Sequence, residues 1–425
     1  MFGIGDSVVV GYDLSNEYAQ ISYLSVGDDI AKTISLKPGE EAYNIPLCLF
    51  KRSEVNQWFV GNEAVNYSTL EEGQMVEHLW EYALVGDSVE VVGEEFDPIS
   101  LLLLYIRRTL TLLNTEVKKE NIKGIMFTVP ELTKRAIEVL DMIVALLNLE
   151  GIKIGFQGRE ESIYHYMLRQ PSELWQYDVL VYDYDGRDMQ SYRFFLNKKT
   201  KPMVALVDAA KHTTLNTSDD EEKDAAFVSV VKNTCDGHIV SCAYLLGDGF
   251  EGEWCKDSLR ELCRNRRAFR GNNLYSRGAC YSMELLLNPP KTVQTVFLGG
   301  NKLKANIGME VIRGGEESYL ALLNGGENWF DSQKTVELII DKGNSFVVTI
   351  TPLDGRNVRN VEISLEGLND REQKATRIRL EAVMETENDL RINVTDLGFG
   401  EFYPASHQLF TRQIPLTVQG EGISE

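Results

Sequence analysis

The sequence predicts an α/β region up to about residue 288, followed by an all-β sandwich. Three observations predict it. Before residue 288, apolar runs of strand length alternate with segments whose apolar residues recur at spacings of three and four. Asn288-Pro289-Pro290 then stops that pattern, because proline cannot continue a helix. Beyond it, short runs rich in β-branched residues are separated by turns of Gly, Asn and Asp, with no helical period of useful length. At 425 residues the chain is long enough for two or three domains.

Each element follows from its pattern. Val8 to Val10 and Tyr18 to Leu24 are two strands joined by a Gly/Asp/Ser/Asn turn, a hairpin-like unit. Residues 45–65 read as two more strands. Pro98 to Leu113 is helical, with Ile99, Leu102, Leu103, Ile106, Leu110 and Leu113 on one face. Ile122 to Val129 is a buried strand ending at Pro130, and a strongly amphipathic helix follows, carrying Ala136, Val139, Leu140, Ile143 and Leu147. Ile152 to Phe156 is a short strand and Glu160 to Leu168 a helix. Val179 to Tyr182 is a strand stopped by the acidic turn YDYDGRD, and Gln190 to Leu196 alternates out of it. The run SDDEEKD (218–224) reads as a solvated turn or loop. Ile239 to Leu246 is a strand ending in Gly247-Asp248-Gly249. A helix from about Glu253 to Cys263, an Arg-rich loop and a helix over Ser276 to Leu287 close the region. In the β domain the strands are Val336–Ile340, Phe346–Ile350, Val361–Leu365, Ile378–Met384 and Leu390–Val394.

Composition narrows the function classes. There are 43 Lys+Arg against 64 Asp+Glu, a net charge of −21, which disfavours nucleic acid and anionic membranes as partners. No apolar stretch approaches the about 20 residues of a membrane span. The opening MFGIGDSVVVG lacks a basic region before an apolar one, so no signal peptide is expected. The six cysteines show no CxxC spacing, and five lie between Cys235 and Cys280 among apolar neighbours. Reduced, buried thiols in a cytoplasmic protein are expected. The five histidines are scattered singly, without metal-ligand spacing. No GxSxG or Cys–His signature supports hydrolase chemistry. Trp80, Trp175, Trp254 and Trp329 read as core or subdomain-contact aromatics. The basic cluster Arg260, Arg264, Arg266, Arg267 and Arg270 reads as a solvated face paired with local acids, with a nucleotide, an acidic partner or RNA as the sharper reading.

Three strand–turn units carry what chemistry the sequence offers: Val9 to Asn16 around Gly11-Tyr12-Asp13-Leu14, Val181 to Gly186 around Asp183, and Leu246 to Phe250 around Gly247 and Gly249. Small turn residues after a buried strand expose backbone N–H groups that cradle phosphate, and aspartates there can hold hydrated Mg²⁺. The plainer reading is turn aspartates satisfying backbone donors and glycines shaping a turn.

With the crossover Phe127-Thr128-Val129-Pro130 between the first two units, the order resembles the seventy-kilodalton heat-shock chaperones of the actin, sugar-kinase and heat-shock ATPase superfamily. Asn44-Ile45-Pro46-Leu47, Phe59-Val60-Gly61-Asn62-Glu63-Ala64 and Ser276-Arg277-Gly278-Ala279 extend the resemblance through the first 288 residues. Asn306 to Glu310 and Leu390 to Asp396 are similar to the family's substrate-binding β-sandwich. The resemblance implies a two-lobed actin-like ATPase domain with ribonuclease-H-like halves over 1–288. A linker over 289–298, apolar near Val293 to Leu298, and a peptide-binding β-sandwich over 299–425 would follow. With only ten residues after Pro415, no helical lid is expected. It implies ATP or ADP with Mg as cofactor. The binding residues would be Asp13, Ser15, Asn16, Asp183, Gly186, Gly247, Gly249 and Arg277, with Asp13 and Asp183 at the metal.

The departures from the family weaken that site. Ser15, Asn16 and Glu17 stand where the family has small and hydroxyl residues, and Asp185-Gly186-Arg187-Asp188 replaces a run of glycines. Asp248 replaces a glycine, and no lysine lies between Lys51 and Lys118 to orient an attacking water. A carboxylate ~5 Å from a phosphate oxygen costs about 3 kcal/mol at an effective dielectric near 20. Glu17, Asp185, Asp188 and Asp248 are sources of such repulsion, and Arg187 offsets one. The expected function is therefore protein or peptide interaction through the β-sandwich with a degenerate nucleotide site, and no confident catalytic residue. The alternative is an ATP-binding chaperone-like protein with slow hydrolysis coupled to the β domain. A sugar-kinase-like enzyme is disfavoured by the β-sandwich.

Overall fold

A computed structural model describes residues 7–416 apart from 38, 200, 214, 216, 218, 272, 293, 354–356 and 369–370. Ser218 of the acidic run and Val293 of the expected linker therefore lie outside the described residues, as do the extreme ends on which the leader and lid expectations bear. The chain divides into two units between Thr295 and Val296. It is a mixed α/β protein whose C-terminal part is strand-rich.

The first unit repeats one strand order in two sheets. Strands Val8–Leu14, Tyr18–Ser25, Lys32–Thr33, Ile122–Val129 and Lys153–Gly158 lie in the spatial order third, second, first, fourth, fifth. The hairpin strands pair antiparallel, and the first, fourth and fifth pair parallel. Strands Asp178–Tyr184, Met189–Asn197, Met203–His212, Val240–Leu246 and Arg267–Arg270 repeat the same order and directions. Central parallel strands are covered on both faces, which is why Val8–Leu14 is buried at every position and reads as a continuous apolar run.

The helices follow their caps. Asp97 accepts from Ser100 N at 2.9 Å to start Pro98–Leu110, and Thr133 accepts from Ala136 N at 3.1 Å to start Lys134–Leu147. Helix Leu274–Leu287 lies between the first sheet and helix Arg159–Arg169. Its backbone approaches both so closely that two glycines are required. A Cβ on Gly11 would come 1.9 Å from Ser276 O, and one on Gly278 would come 2.1 Å from Ser162 O. Gly278→Ala is expected to lower stability by about 3 kcal/mol through overpacking, read as a leftward shift of the urea midpoint with unchanged slope.

Three local expectations are corrected. The acidic run is not a loop: Asp219 caps helix Asp220–Cys235, accepting from Glu221 N and Glu222 N, and the acids fill its first turn where the helix dipole favours them. Asp224 of that run is buried, because it accepts the backbone N–H groups of Lys256, Asp257 and Ser258 at 2.7–3.0 Å. The Arg-rich loop contains strand Arg267–Arg270, whose pairing with Val240–Leu246 outweighs its polar composition. Not every thiol is buried: Cys48, Cys242, Cys255 and Cys280 are, Cys235 is half-buried and Cys263 is exposed. Strand Met203–His212 carries no clear sequence signal, because only Ala205 and Val207 are buried and its second half is exposed or half-buried.

The segment expected as a linker is tied at its end to the first unit. Met203 N donates to Gln294 O at 2.9 Å, and the Tyr164 hydroxyl donates to Thr295 O at 2.9 Å. The second unit is a sandwich of two antiparallel four-stranded sheets. One contains Ala305–Arg313, Glu316–Leu323, Ser345–Pro352 and Arg359–Ser364. The other contains Gln333–Ile340, Thr376–Met384, Asp389–Asp396 and Leu409–Pro415. Alternate residues such as Ile378, Leu380 and Ala382 turn into a shared core with Ile307, Val348 and Ile350. No helix among the described residues is long and apolar enough to cross a membrane.

Candidate functional site

Asp13 and Asp183 are equivalent residues of the two sheets. Each is the next-to-last residue of the first strand, Val8–Leu14 or Asp178–Tyr184. Strand register places Asp13 in a row across the first sheet, Gln20–Asp13–Thr128–Gln157, with all four side chains buried. Thr128 Oγ1 and Gln157 Nε2 meet Ser162 Oγ at 2.9 and 2.6 Å, and Gln20 Nε2 donates to Asn44 Oδ1 at 2.6 Å.

The residue that joins the two aspartates is Arg159. It opens helix Arg159–Arg169 directly after strand Lys153–Gly158, so the sheet edge aims it across the first strands. Its Nη1 donates to Asp183 Oδ2 at 2.8 Å, and its Nη2 stands 3.9 Å from Asp13 Oδ2. The guanidinium lies 4.5 Å from the ring centroid of Tyr275, whose hydroxyl donates to Asp183 Oδ2 at 2.9 Å. Both Asp13 oxygens, Gln20 Oε1, Gln157 Oε1 and Arg159 Nε have no hydrogen-bond partner among the described residues.

The electrostatics follow from burial. Desolvation pushes the Asp13 carboxyl up to about 6; Arg159 opposes that rise and Asp183 adds to it. Burial works against the Arg159 charge, but Asp183 and Asp13 outweigh it and hold the guanidinium firmly protonated.

The loops after these strands spend their donors on themselves. Ser15 Oγ accepts from Tyr18 N at 2.9 Å and Glu17 N at 3.2 Å, while Asn16 is exposed. Asp185 Oδ1 accepts from Arg187 N and Asp188 N at 2.7 and 2.8 Å. Gly186 and Gly249 sit backbone against backbone, since a Cβ on Gly249 would come 2.5 Å from Gly186 N. Gly247 takes φ 91°, with Tyr184 O 2.2 Å from where a Cβ would sit. Asn44 Nδ2 donates to both Asp248 oxygens at 2.8–2.9 Å, a second bridge from the first sheet's polar row to the second sheet's loop. Arg277 stands apart from this cluster, its guanidinium 5.3 Å from the Tyr166 ring centroid.

These residues do not fit a Mg–triphosphate as arranged. A cation shared by Asp13 and Asp183 would meet the Arg159 guanidinium, and the N–H groups of Glu17, Tyr18, Arg187 and Asp188 in the first two loops are taken by Ser15 and Asp185. No group of three or more His, Cys, Asp or Glu among the described residues is placed to hold a metal. The expected repulsive carboxylates are largely engaged: Asp188 pairs with Lys211 at 2.8 Å and Asp248 with Asn44. The basic cluster pairs locally, Arg260 with Asp257 at 2.7 Å, Arg264 with Glu261 at 3.4 Å and Arg267 with Glu173 at 3.4 Å.

Sequence reasoning missed Arg159, Gln20 and Asn44. The available signal was Gln157-Gly158-Arg159, polar residues at the end of a strand, and Gln20 inside an otherwise apolar strand. In the β-sandwich a groove of about 880 Å³ opens between Val311, Leu338, Ile340 and Phe346, with Glu337 and Lys374 also lining it.

Fold and site define a class: a duplicated α/β unit, its paired strand-end carboxylates bridged by an internal arginine, followed by a β-sandwich. The chain belongs to the family of unknown function DUF5716, whose C-terminal region matches residues 31–300. A domain of unknown function, DUF8552, matches residues 302–416, within the β-sandwich unit. No curated protein matches the chain.

Proposed function

We propose that the protein is a divergent heat-shock-chaperone-like scaffold whose nucleotide cleft is closed by its own side chains, and that it acts by protein or peptide interaction through the β-sandwich. The duplicated strand order supports the actin-like reading of the first unit. The observation that carries the proposal is Arg159, a built-in cation held between Asp13 and Asp183, where the heat-shock ATPases that the sequence resembles would hold metal and phosphate. The groove beside Val311 and Leu338 is the peptide surface in this reading, and the mostly buried free thiols suit a reducing cytoplasm.

The two Asp13 oxygens without hydrogen bonds favour a second reading, an ATP binder with slow hydrolysis coupled to the β domain. That reading requires Arg159 to leave Asp13 and Asp183. Calorimetry and thermal shift with millimolar ATP·Mg²⁺ separate the two. The scaffold gives no saturable heat and no rise in melting temperature, and it binds an unfolded polypeptide with the same affinity with and without ATP. Saturable ATP·Mg²⁺ binding that disappears in Asp13→Asn would overturn it.

A further inference from the structure

The first unit contains a cavity of about 530 Å³ that none of Asp13, Asp183, Gly186, Gly247 or Gly249 lines. Its composition runs against the protein's charge. In a chain of net charge −21, it gathers Lys32, Arg270 and Arg277 against one acid, Glu41. Lys32 sits at its rim, 3.6 Å from Asp28 and largely exposed. Arg277 is fixed more firmly. Its guanidinium lies against the Tyr166 ring and its Nη2 is 3.4 Å from the Tyr281 hydroxyl, while its buried Nε has no hydrogen-bond partner among the described residues. Burial works against that charge, and the contacts with Tyr166 and Tyr281 offset it.

Two further features converge there. Asn273 and Leu274, which line the cavity, begin the 14-residue helix Leu274–Leu287. Asn273 makes no side-chain cap bond to that helix, and its Nδ2 donates to Thr33 Oγ1 at 2.9 Å. Among the described residues the first-turn N–H groups have no side-chain cap, and an anion there gains from both the donors and the helix dipole. Part of the lining is aromatic. Tyr244 and Phe269 stack at 5.0 Å with 25° between planes, and Tyr166 meets Tyr244 edge-on at 5.8 Å.

We propose that this cavity is a binding site for a small ring-bearing phosphomonoester, its phosphate at Arg270, Arg277 and the helix N-terminus and its ring on the Tyr244–Phe269 wall. Three cations against one carboxylate suit a dianion better than a monoanion, guanidinium groups bind phosphate oxygens in pairs, and the volume suits a ligand of small-molecule size. The site rests on residues other than the Asp13–Arg159–Asp183 cluster, so its failure leaves the proposed function standing.

The test is calorimetric titration of the full chain with phenyl phosphate, inorganic phosphate, benzoate and phenol. Phenyl phosphate is expected to bind at least about tenfold more tightly than the other three. Arg270→Gln, at an exposed position, should weaken it about tenfold, and so should Arg277→Lys, which keeps charge but loses the fork. Arg187→Gln, on the exposed loop beside Gly186, should leave affinity unchanged. The proposal is overturned if phenyl phosphate gives no saturable heat, if benzoate or inorganic phosphate binds as tightly, if Arg270→Gln is silent, or if Arg187→Gln abolishes binding. Should Arg277→Lys fail to fold, Arg270→Gln decides the matter.

Discussion

Arg159→Ala is expected to destabilise the first unit by about 3–5 kcal/mol, because it leaves two buried carboxylates without their counter-ion. For a unit of this size that corresponds to a fall in melting temperature of roughly 10 °C. The loss should depend on pH in a definite direction. Asp13 has its carboxyl raised to about 6 by burial, against about 3.9 in an unfolded chain. A raised carboxyl means that the folded state holds its proton longer. Its contribution is therefore most favourable below about pH 4 and declines as pH rises toward 6. Removing Arg159 removes the group that opposes the rise, so the window extends upward. Urea unfolding at pH 5 and pH 8 should show a larger loss for the variant at pH 8. An equal loss at both would mean that Arg159 acts by packing against Tyr275 rather than by charge. The pairing Arg159→Ala with Asp183→Asn should recover part of the loss, since the double change removes both members of the shorter contact. In Arg159→Ala, millimolar Mg²⁺ should also raise the melting temperature, an effect expected to be missing in the parent protein.

Asp396→Ala should be comparably costly in the β-sandwich, and it should titrate the opposite way. Asp396 is buried, and it accepts from Arg371 Nη1 and Nη2 at 2.7 and 2.8 Å, from the Gly398 and Ser406 backbone N–H groups, and from Ser406 Oγ at 2.7 Å. Burial alone would raise this carboxyl. The bidentate Arg371 contact with the Ser406 and Gly398 bonds outweighs it and holds the group well below the usual carboxylate range. A depressed carboxyl contributes stability that is present above the unfolded value, about 3.9, and is lost as pH falls below it. Loss of the hub is expected to cost about 3–5 kcal/mol by stranding Arg371 and two backbone donors. Hydrogen exchange in strands Asp389–Asp396 and Leu409–Pro415 should then quicken by two to three orders of magnitude. Unchanged exchange in those strands would show that other contacts hold the loop.

The two aspartates differ in satisfaction rather than in burial. Each has an arginine, but Asp396 has five hydrogen bonds and Asp13 has none among the described residues. A carboxylate surrounded by donors anchors a fold. One held by a distant guanidinium is costly, and it survives in this protein because Arg159 is locked by Asp183 and Tyr275.

Local patterns were enough to read the strands Val8–Leu14, Tyr18–Ser25, Ile122–Val129, Lys153–Gly158, Asp178–Tyr184, Met189–Asn197 and Val240–Leu246 and the amphipathic helices, but not strand Met203–His212, because burial periodicity is written residue by residue only where one face is buried. They also singled out Asp13 and Asp183 as strand-end carboxylates after apolar runs. They did not reveal helix Asp220–Cys235 from its start, since an acidic first turn looks like solvated loop until its capping geometry is known. Nor did they reveal strand Arg267–Arg270, whose partner lies more than twenty residues earlier.

Amino-acid order alone decided the layout of this protein, a strand-and-helix region broken by Asn288-Pro289-Pro290 and then a run of β-branched strands. Backbone propensity and side-chain periodicity are properties of neighbours in the chain. What the tertiary structure decided is which charge faces which. Arg159 reaches Asp183, 24 residues away, Asn44 reaches Asp248, 204 residues away, and Arg277 leaves the cluster for a cavity of its own. Coulomb and desolvation energies depend on distance through space and on burial, and neither quantity exists until the chain has folded.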